Sequence, residues 1–367
     1  MKLRYKVLNG ILVVLIIAFA ALALTLSHNS ACRPAADIAS GSTPMQAIIY
    51  SCYGPPEVLK LETVAKPIPG EEDVLVKVHA ASVNPLDWHY MRGSPYVMRL
   101  MSGIGSPKDH SLGVDFAGTV ESIGSRVTKF KPGDEVFGGG PGAFGDYVLL
   151  TENQALATKP ATMTFEQAAS LPIAAISALQ AIRDAGNIRP GMKVLVNGAS
   201  GGVGTFAVQI AKSFGAEVTG VCSTRNIELV RSLGADHIVD YKKENYTEGE
   251  VQYDLIIDNV GNHSPFANRR AMTPDGVLVM VGGPGGDWVG PFLRPLQAAV
   301  LSPFVDQEFV LFLGRLKQAD LEVLAELGES GKISPVIDRR YTLEDVPDAI
   351  RYSESGRARG KIIIEVD

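Results

Sequence analysis

Cysteine is scarce in this chain. The 367 residues hold only Cys32, Cys52 and Cys222, none in a C-x-x-C pair, and such a set supports neither a disulfide framework nor a zinc site. No long basic run occurs and the formal net charge is −6, which argues against a nucleic-acid partner, because that partner demands a concentrated positive surface. Charged residues make up 20% of the chain against 46% apolar residues. That balance describes a globular protein, and the length suits two domains of ordinary size.

The most informative stretch lies mid-chain. The apolar run Lys193–Asn197 passes into Gly198-Ala199-Ser200-Gly201-Gly202-Val203-Gly204 and then into a helical pattern from Thr205. Ala199-x-Gly201-x-x-Gly204 between a buried strand and a helix is the dinucleotide fingerprint with alanine in first place. Its glycines allow a tight turn and close backbone approach to a pyrophosphate at the helix N-terminus. A second strand, Glu217–Cys222, follows at the spacing of a βαβ unit. NAD enzymes usually place a carboxylate at its end, about 20 residues on. Here the chain reads Ser223-Thr224-Arg225-Asn226, whose hydroxyls and guanidinium suit a 2′-phosphate, so NADPH is the expected cofactor. The plainer alternative is a solvated loop with Asn226 as a helix cap.

The N-terminus departs from the globular pattern. Lys2, Arg4 and Lys6 precede a run from Ile11 to Leu26 that is apolar except for Thr25. It reads as a signal-peptide core or a membrane anchor, and over residues 8–27 it approaches the roughly 20 residues of a bilayer span. No small-x-small cleavage site follows, so an uncleaved single span is expected over residues 1–27, with residues 28–44 as a linker. Basic residues before the span place the bulk of the chain on the non-cytoplasmic side, whereas NADPH is a cytosolic cofactor. The side of the membrane therefore stays open.

Residues 45–148 show short β segments between Pro/Gly turns, the pattern of a compact barrel. A helical pattern over residues 164–182 opens alternating strands and helices that continue to Val281, which implies a doubly wound parallel sheet. Leu321–Leu327 suggests one more helix, and Lys361-Ile362-Ile363-Ile364-Glu365-Val366 a closing strand that rejoins the barrel. The fold class expected is α/β.

Five segments carry a resemblance: Ala81-Ser82-Val83-Asn84-Pro85-Leu86-Asp87-Trp88, Leu112-Gly113-Val114-Asp115-Phe116-Ala117-Gly118, Phe130-Lys131-Pro132-Gly133-Asp134-Glu135-Val136, Leu233-Gly234-Ala235-Asp236 and Asp258-Asn259-Val260-Gly261. With the fingerprint, they make residues 45–367 resemble the medium-chain dehydrogenase/reductase superfamily, in its zinc-independent quinone oxidoreductase branch. The resemblance implies a GroES-like substrate domain over 45–163, completed by 333–367, and a Rossmann domain that binds NADP over 164–332. In zinc-dependent relatives a cysteine stands at the position of Asn84, a histidine at Val114 and a third ligand near Ile173. All three are lost here, so no metal is expected.

The resemblance also implies hydride transfer from nicotinamide C4 to a quinone or an α,β-unsaturated carbonyl, whose charge delocalises without a Lewis acid. It places Asn84 beside the reacting oxygen as a neutral donor. His89, Tyr90 and Tyr96 occupy the region where relatives keep pocket residues, with His89 and Tyr96 taken as catalytic candidates. Ser177 and Tyr241 match family groups near the cofactor phosphates, and Asn259, Val260 and Gly282 close the cofactor set with Ala199, Ser200, Gly201, Gly202, Val203, Gly204, Ser223, Thr224 and Arg225. Arg357 and Lys361 either reach the 2′-phosphate or end in solvent. Two apolar stretches, 91–112 and 288–313, suggest a pocket for a lipophilic substrate, a membrane contact, core packing or a homodimer contact. Two other functions stay open: reduction of simple ketones or aldehydes, and NADPH binding without turnover.

Overall fold

The computed structural model describes residues 2–34, 38–283 and 285–366, with the backbone alone at residues 2–9, 11 and 12. Short apolar runs between turns become β1 (Pro44–Ile49), β2 (Lys60–Ala65), β3 (Asp73–Val83), β4 (Asp115–Ile123), β5 (Glu135–Gly139), β6 (Tyr147–Thr151) and β7 (Leu156–Thr158). Near-continuous apolar runs become β8 (Lys193–Asn197), β9 (Glu217–Cys222), β10 (His237–Asp240), β11 (Tyr253–Asp258), β12 (Met272–Met280) and β13 (Glu308–Leu311), followed by β14 (Ile337–Thr342) and β15 (Lys361–Glu365).

The second group forms a parallel sheet in the order β10-β9-β8-β11-β12-β13. Its central strands β8 and β11 are buried on both faces, which is why Val194–Val196 and Leu255–Ile257 read as unbroken apolar runs. The order reverses between β8 and β11, where Asn197 pairs in register with Asp258, and such a reversal leaves a crevice at the carboxyl ends of the strands. Ligands of open α/β sheets bind at such a switch point. The other sheet runs β14-β15-β3-β4-β5-β7, with β6 also on β3. Antiparallel pairing of Ile362, Ile363 and Ile364 with Val83, Ser82 and Ala81 returns the closing strand to the barrel.

The expected helix over 164–182 is two helices, Phe165–Ala169 and Pro172–Gln180. Pro172 has no N–H to donate backwards and so opens a new first turn.

The N-terminal segment corrects two expectations. Helix Lys2–Ser27 forms. Among the described residues no helix is long and apolar enough to cross a membrane, and the span expected over residues 8–27 is not supported. The end of the helix is committed to protein instead. Leu26 is buried, and Arg99 donates from Nη1 to Leu26 O at 2.7 Å and to His28 O at 3.0 Å. The Arg99 guanidinium also lies over the rings of Tyr53 and Tyr96. Ser30 N donates to Gly105 O, Arg33 N to Ser51 Oγ, and a disulfide joins Cys32 to Cys52, whose Cα atoms are 4.7 Å apart. Residues 26–33 are thus fastened to the barrel rather than free. The disulfide escaped the sequence reading because two cysteines 20 residues apart carry no spacing signature.

Candidate active site

Gly198 leaves β8 with φ +78°, a left-handed conformation that glycine adopts without steric cost. A Cβ on Gly204 would land on Gly198 O and within 2.8 Å of Ala199 Cα, so this glycine lets helix Gly202–Ser213 pack on the loop. The cap of that helix is Gly201, which has no side chain to bond the first turn. The N–H groups of Gly202, Val203 and Gly204 are therefore left for an anion, which the helix dipole also favours. Ser200 Oγ accepts from Asn226 Nδ2 at 2.8 Å, while Asn226 Oδ1 is buried without a partner.

At the rim beyond β9 the structure sorts the expected 2′-phosphate groups. Ser223 is half-buried. Arg225 is exposed, its Nη2 donating to Arg357 O at 3.3 Å. Tyr241 N donates to Cys222 O, which brings this half-exposed ring beside Ser223, with the Lys242 ammonium 5.2 Å from the ring centre. Thr224 differs from expectation: its hydroxyl donates to Asp240 Oδ2 at 2.6 Å, and this bond holds the Asp240 carboxyl below the usual carboxylate range. Asp240 ends β10, and no local pattern pointed to it.

Across the crevice, Asn259, Val260 and Gly282 come together. A Cβ on Gly198 would lie 2.7 Å from Val260 Cγ2, and Asn259 Nδ2 donates to Asn197 O at 3.0 Å while its Oδ1 is buried without a partner. Fully buried Asp258 organises this corner. Its Oδ1 accepts from Asn197 Nδ2, Val260 N and Gly261 N, and its Oδ2 from Arg294 Nη2. Arg294 Nη1 in turn donates to Gly282 O at 3.1 Å. Arg294 lay unnoticed inside a stretch read as apolar.

A third cluster lies under the glycine loop. Asn84 follows β3 and caps helix Pro85–Arg92, its N–H donating to Asp87 Oδ2 at 2.7 Å. Its Nδ2 donates to Asp115 Oδ2 at 2.8 Å and more weakly to Ser82 O at 3.4 Å, and its Oδ1 accepts from Lys361 Nζ at 2.6 Å. One amide N–H is thus taken by Asp115, while the other meets Ser82 O only at long range. Lys361 is 2% exposed, which overturns its reading as a solvated end or 2′-phosphate ligand. Its charge is met by Asp115, 3.5 Å away. Burial pushes the ammonium down and the carboxyl up, while each charge pulls the other back.

Asp87 is fully buried, its Oδ1 unpartnered, and burial pushes its carboxyl up to about 7. A carboxyl raised in the folded state binds more protons folded than unfolded, so its contribution to stability is lost as pH rises from about 4 through about 7. Asp87→Asn keeps an acceptor for Asn84 N–H without the charge. The variant is expected to unfold like wild type at pH 4 and to be more stable by on the order of a few kcal/mol at pH 8. Thermal or urea unfolding at both pH values checks this, and a constant gap would remove Asp87 as its cause.

Comparison with known proteins gives two family matches. Residues 70–161 match the alcohol dehydrogenase GroES-like domain and residues 233–364 the zinc-binding dehydrogenase family. The human mitochondrial NAD(P)H oxidoreductase RTN4IP1 is 36% identical over 89% of this chain and 90% of its own length. The chain belongs to the medium-chain dehydrogenase/reductase superfamily. Within it, this chain falls in the quinone oxidoreductase-like branch. A chloroplastic NADPH-dependent alkenal/one oxidoreductase of Arabidopsis thaliana is 35% identical over 94% of this chain and 86% of its own. A quinone oxidoreductase from Coxiella burnetii superposes with a TM-score of 0.78 at 30% identity, covering 89% of this chain and all of that one. Although one matched family is described as zinc-binding, no group of three His, Cys, Asp or Glu among the described residues of this superfamily member could hold a metal ion.

The remaining candidates of this reductase-like chain sit elsewhere. His89 Nδ1 donates to Ser94 O at 2.6 Å, its ring stacks on Trp88 at 3.7 Å, and burial pulls its pKa below the ordinary value. Tyr96 bridges the two domains: its N–H donates to Asp287 O at 2.9 Å and its ring meets Trp288 edge-on at 4.8 Å. The apolar stretches 91–112 and 288–313 therefore touch at this point. Ser177, half-buried, faces Gly314 beyond β13, since a Cβ there would lie 3.0 Å from its Oγ.

Proposed function

We propose that this chain is an NADPH-dependent reductase of quinones and α,β-unsaturated carbonyls that works without zinc. The observation that carries this reading is an uncapped glycine-loop helix flanked by two buried, unpartnered amide oxygens, that of Asn226 bonded through its amide to Ser200 and that of Asn259 bonded through its amide to Asn197 O. The Gly202, Val203 and Gly204 N–H groups would hold the pyrophosphate. Asn226 Oδ1 and Asn259 Oδ1 are acceptors that ribose hydroxyl or carboxamide N–H groups satisfy, and leaving them unmet would cost about 1–3 kcal/mol each. Bound NADPH supplies a hydride at nicotinamide C4. The chain's own residues orient that ring and exclude water, and a conjugated acceptor spreads the arriving charge without a Lewis acid. Asn84 belongs to the floor of the site as a positioning group. The contact of Tyr96 with Trp288 brings two apolar stretches together, which favours an apolar substrate. The names of the human, plant and bacterial relatives fit this reading.

The test is NADPH oxidation by purified protein against quinones, enones and saturated ketones. Turnover of quinones or enones is expected. Reduction confined to saturated ketones would make it a ketone reductase, and binding without any turnover would make it a nucleotide-binding protein. Cofactor choice has its own test at Arg225. One charge-assisted bond at a solvent-screened rim is worth about 1.5 kcal/mol, or about tenfold. Arg225→Ala is expected to weaken NADPH binding about tenfold and leave NADH nearly unchanged by fluorescence titration. An equal loss for both would mean that this loop does not read the 2′-phosphate.

A further inference from the structure

We propose that Lys361 is a positioning residue for the reaction, acting through the Asn84 carboxamide with Asp115 as its counter-charge; this rests on the reductase reading above. Lys361 reaches the site from β15, and its Nζ donates to Asn84 Oδ1 at 2.6 Å and Val83 O at 3.3 Å. Its aliphatic stem lies against the glycine loop, since a Cβ on Gly202 would stand 3.4 Å from Lys361 Cδ. One side chain therefore touches both the loop that takes the pyrophosphate and the amide at the floor of the cleft.

Asp115 extends the arrangement. Its Oδ2 accepts from Asn84 Nδ2 and Ser82 Oγ, and its Oδ1 from Ile173 N at 3.0 Å, at the start of the helix that carries Ser177. The carboxamide is held at both ends: oxygen to a cation, nitrogen to an anion. That polarity fixes which way the amide faces, a choice that a neutral environment would leave nearly balanced.

Stability is a poor explanation for such a pair. Taking two charges out of water is costly, and replacing a buried ion pair with apolar groups of similar size is often neutral or stabilising. The pair makes sense if orientation of Asn84 relative to the glycine loop is what it secures.

The experiment measures NADPH-dependent reduction of a quinone by wild type, Lys361→Met, Asn84→Ala and the Lys361→Met/Asn84→Ala double variant. NADPH affinity is titrated by fluorescence in each. Lys361→Met is expected to lower kcat by at least about tenfold while the NADPH dissociation constant stays within about threefold. If Lys361 acts through Asn84, the double variant is no slower than Asn84→Ala alone. Multiplicative losses, or a fall confined to NADPH affinity, would overturn the positioning role and leave the reductase reading standing. Absence of turnover in wild type would overturn both. Because Lys361→Met leaves Asp115 charged and alone, Lys361→Met/Asp115→Asn is made in parallel. It is expected to fold and to show the same fall in kcat, whereas wild-type kcat in that variant, or failure of both variants to fold, would make the pair purely structural and sink the proposal.

Discussion

Gly204→Ala is expected to abolish dinucleotide binding, with a loss beyond about a hundredfold in affinity. The added methyl would fall on Gly198 O with Ala199 Cα 2.8 Å away, and both obstacles are backbone. Helix Gly202–Ser213 would have to back away from β8, taking with it the N–H groups that face the phosphates. Gly201→Ala is the informative control. There the nearest atom to a Cβ is Gly198 O at 3.5 Å, an ordinary contact, and φ is −86°, which any residue adopts. Gly201→Ala should fold as wild type and weaken NADPH only through the methyl's intrusion on the pyrophosphate. Titration with NADPH beside thermal unfolding separates the two, and retention of wild-type affinity in Gly204→Ala would remove the loop from the cofactor site.

Arg294→Leu should cost about 3–5 kcal/mol of stability, because it strands a carboxylate in the interior. Asp258 is fully buried and Arg294 is 4% exposed, so water cannot take over the lost partner. The damage should also reach the site, since Asp258 holds the N–H groups of Val260 and Gly261 while Arg294 holds Gly282 O. Urea unfolding of the variant gives the first quantity and NADPH titration the second. The double variant Arg294→Leu/Asp258→Asn should recover much of the stability; if it does not, the ion pair is not the reason for the loss.

What the sequence made legible was whatever is local. The glycine loop was readable because strand, turn and helix follow one another within 20 residues and each imposes its own residue types. Asn259 and Val260 were readable only through resemblance, and Lys361 and Arg294 were misjudged or missed, for one physical reason. Lys361 meets Asn84 across 277 positions and Arg294 meets Asp258 across 36, and no periodicity encodes a partner at that distance. Thr224 shows a subtler failure. Its residue type suited a phosphate, but Asp240, 16 positions on, was already arranged to take its hydroxyl. The bilayer span finds no support among the described residues, and Leu26, read as the last apolar residue of a membrane segment, is a buried contact.

The return of β15 to β3 also bears on how the protein is made. Synthesis runs at about 5–20 residues per second, so Asn84 and Asp115 emerge on the order of tens of seconds before the lysine that neutralises one and orients the other. Through that interval the edge of β3 that takes Ile362–Ile364 has no partner, a condition that invites pairing with other chains. The parallel sheet, whose six strands all lie between those two moments, can assemble first and wait. The nascent barrel and the Asn84–Asp115–Lys361 cluster are then finished by the same late event, so an arrested or truncated product would carry the parallel sheet without either.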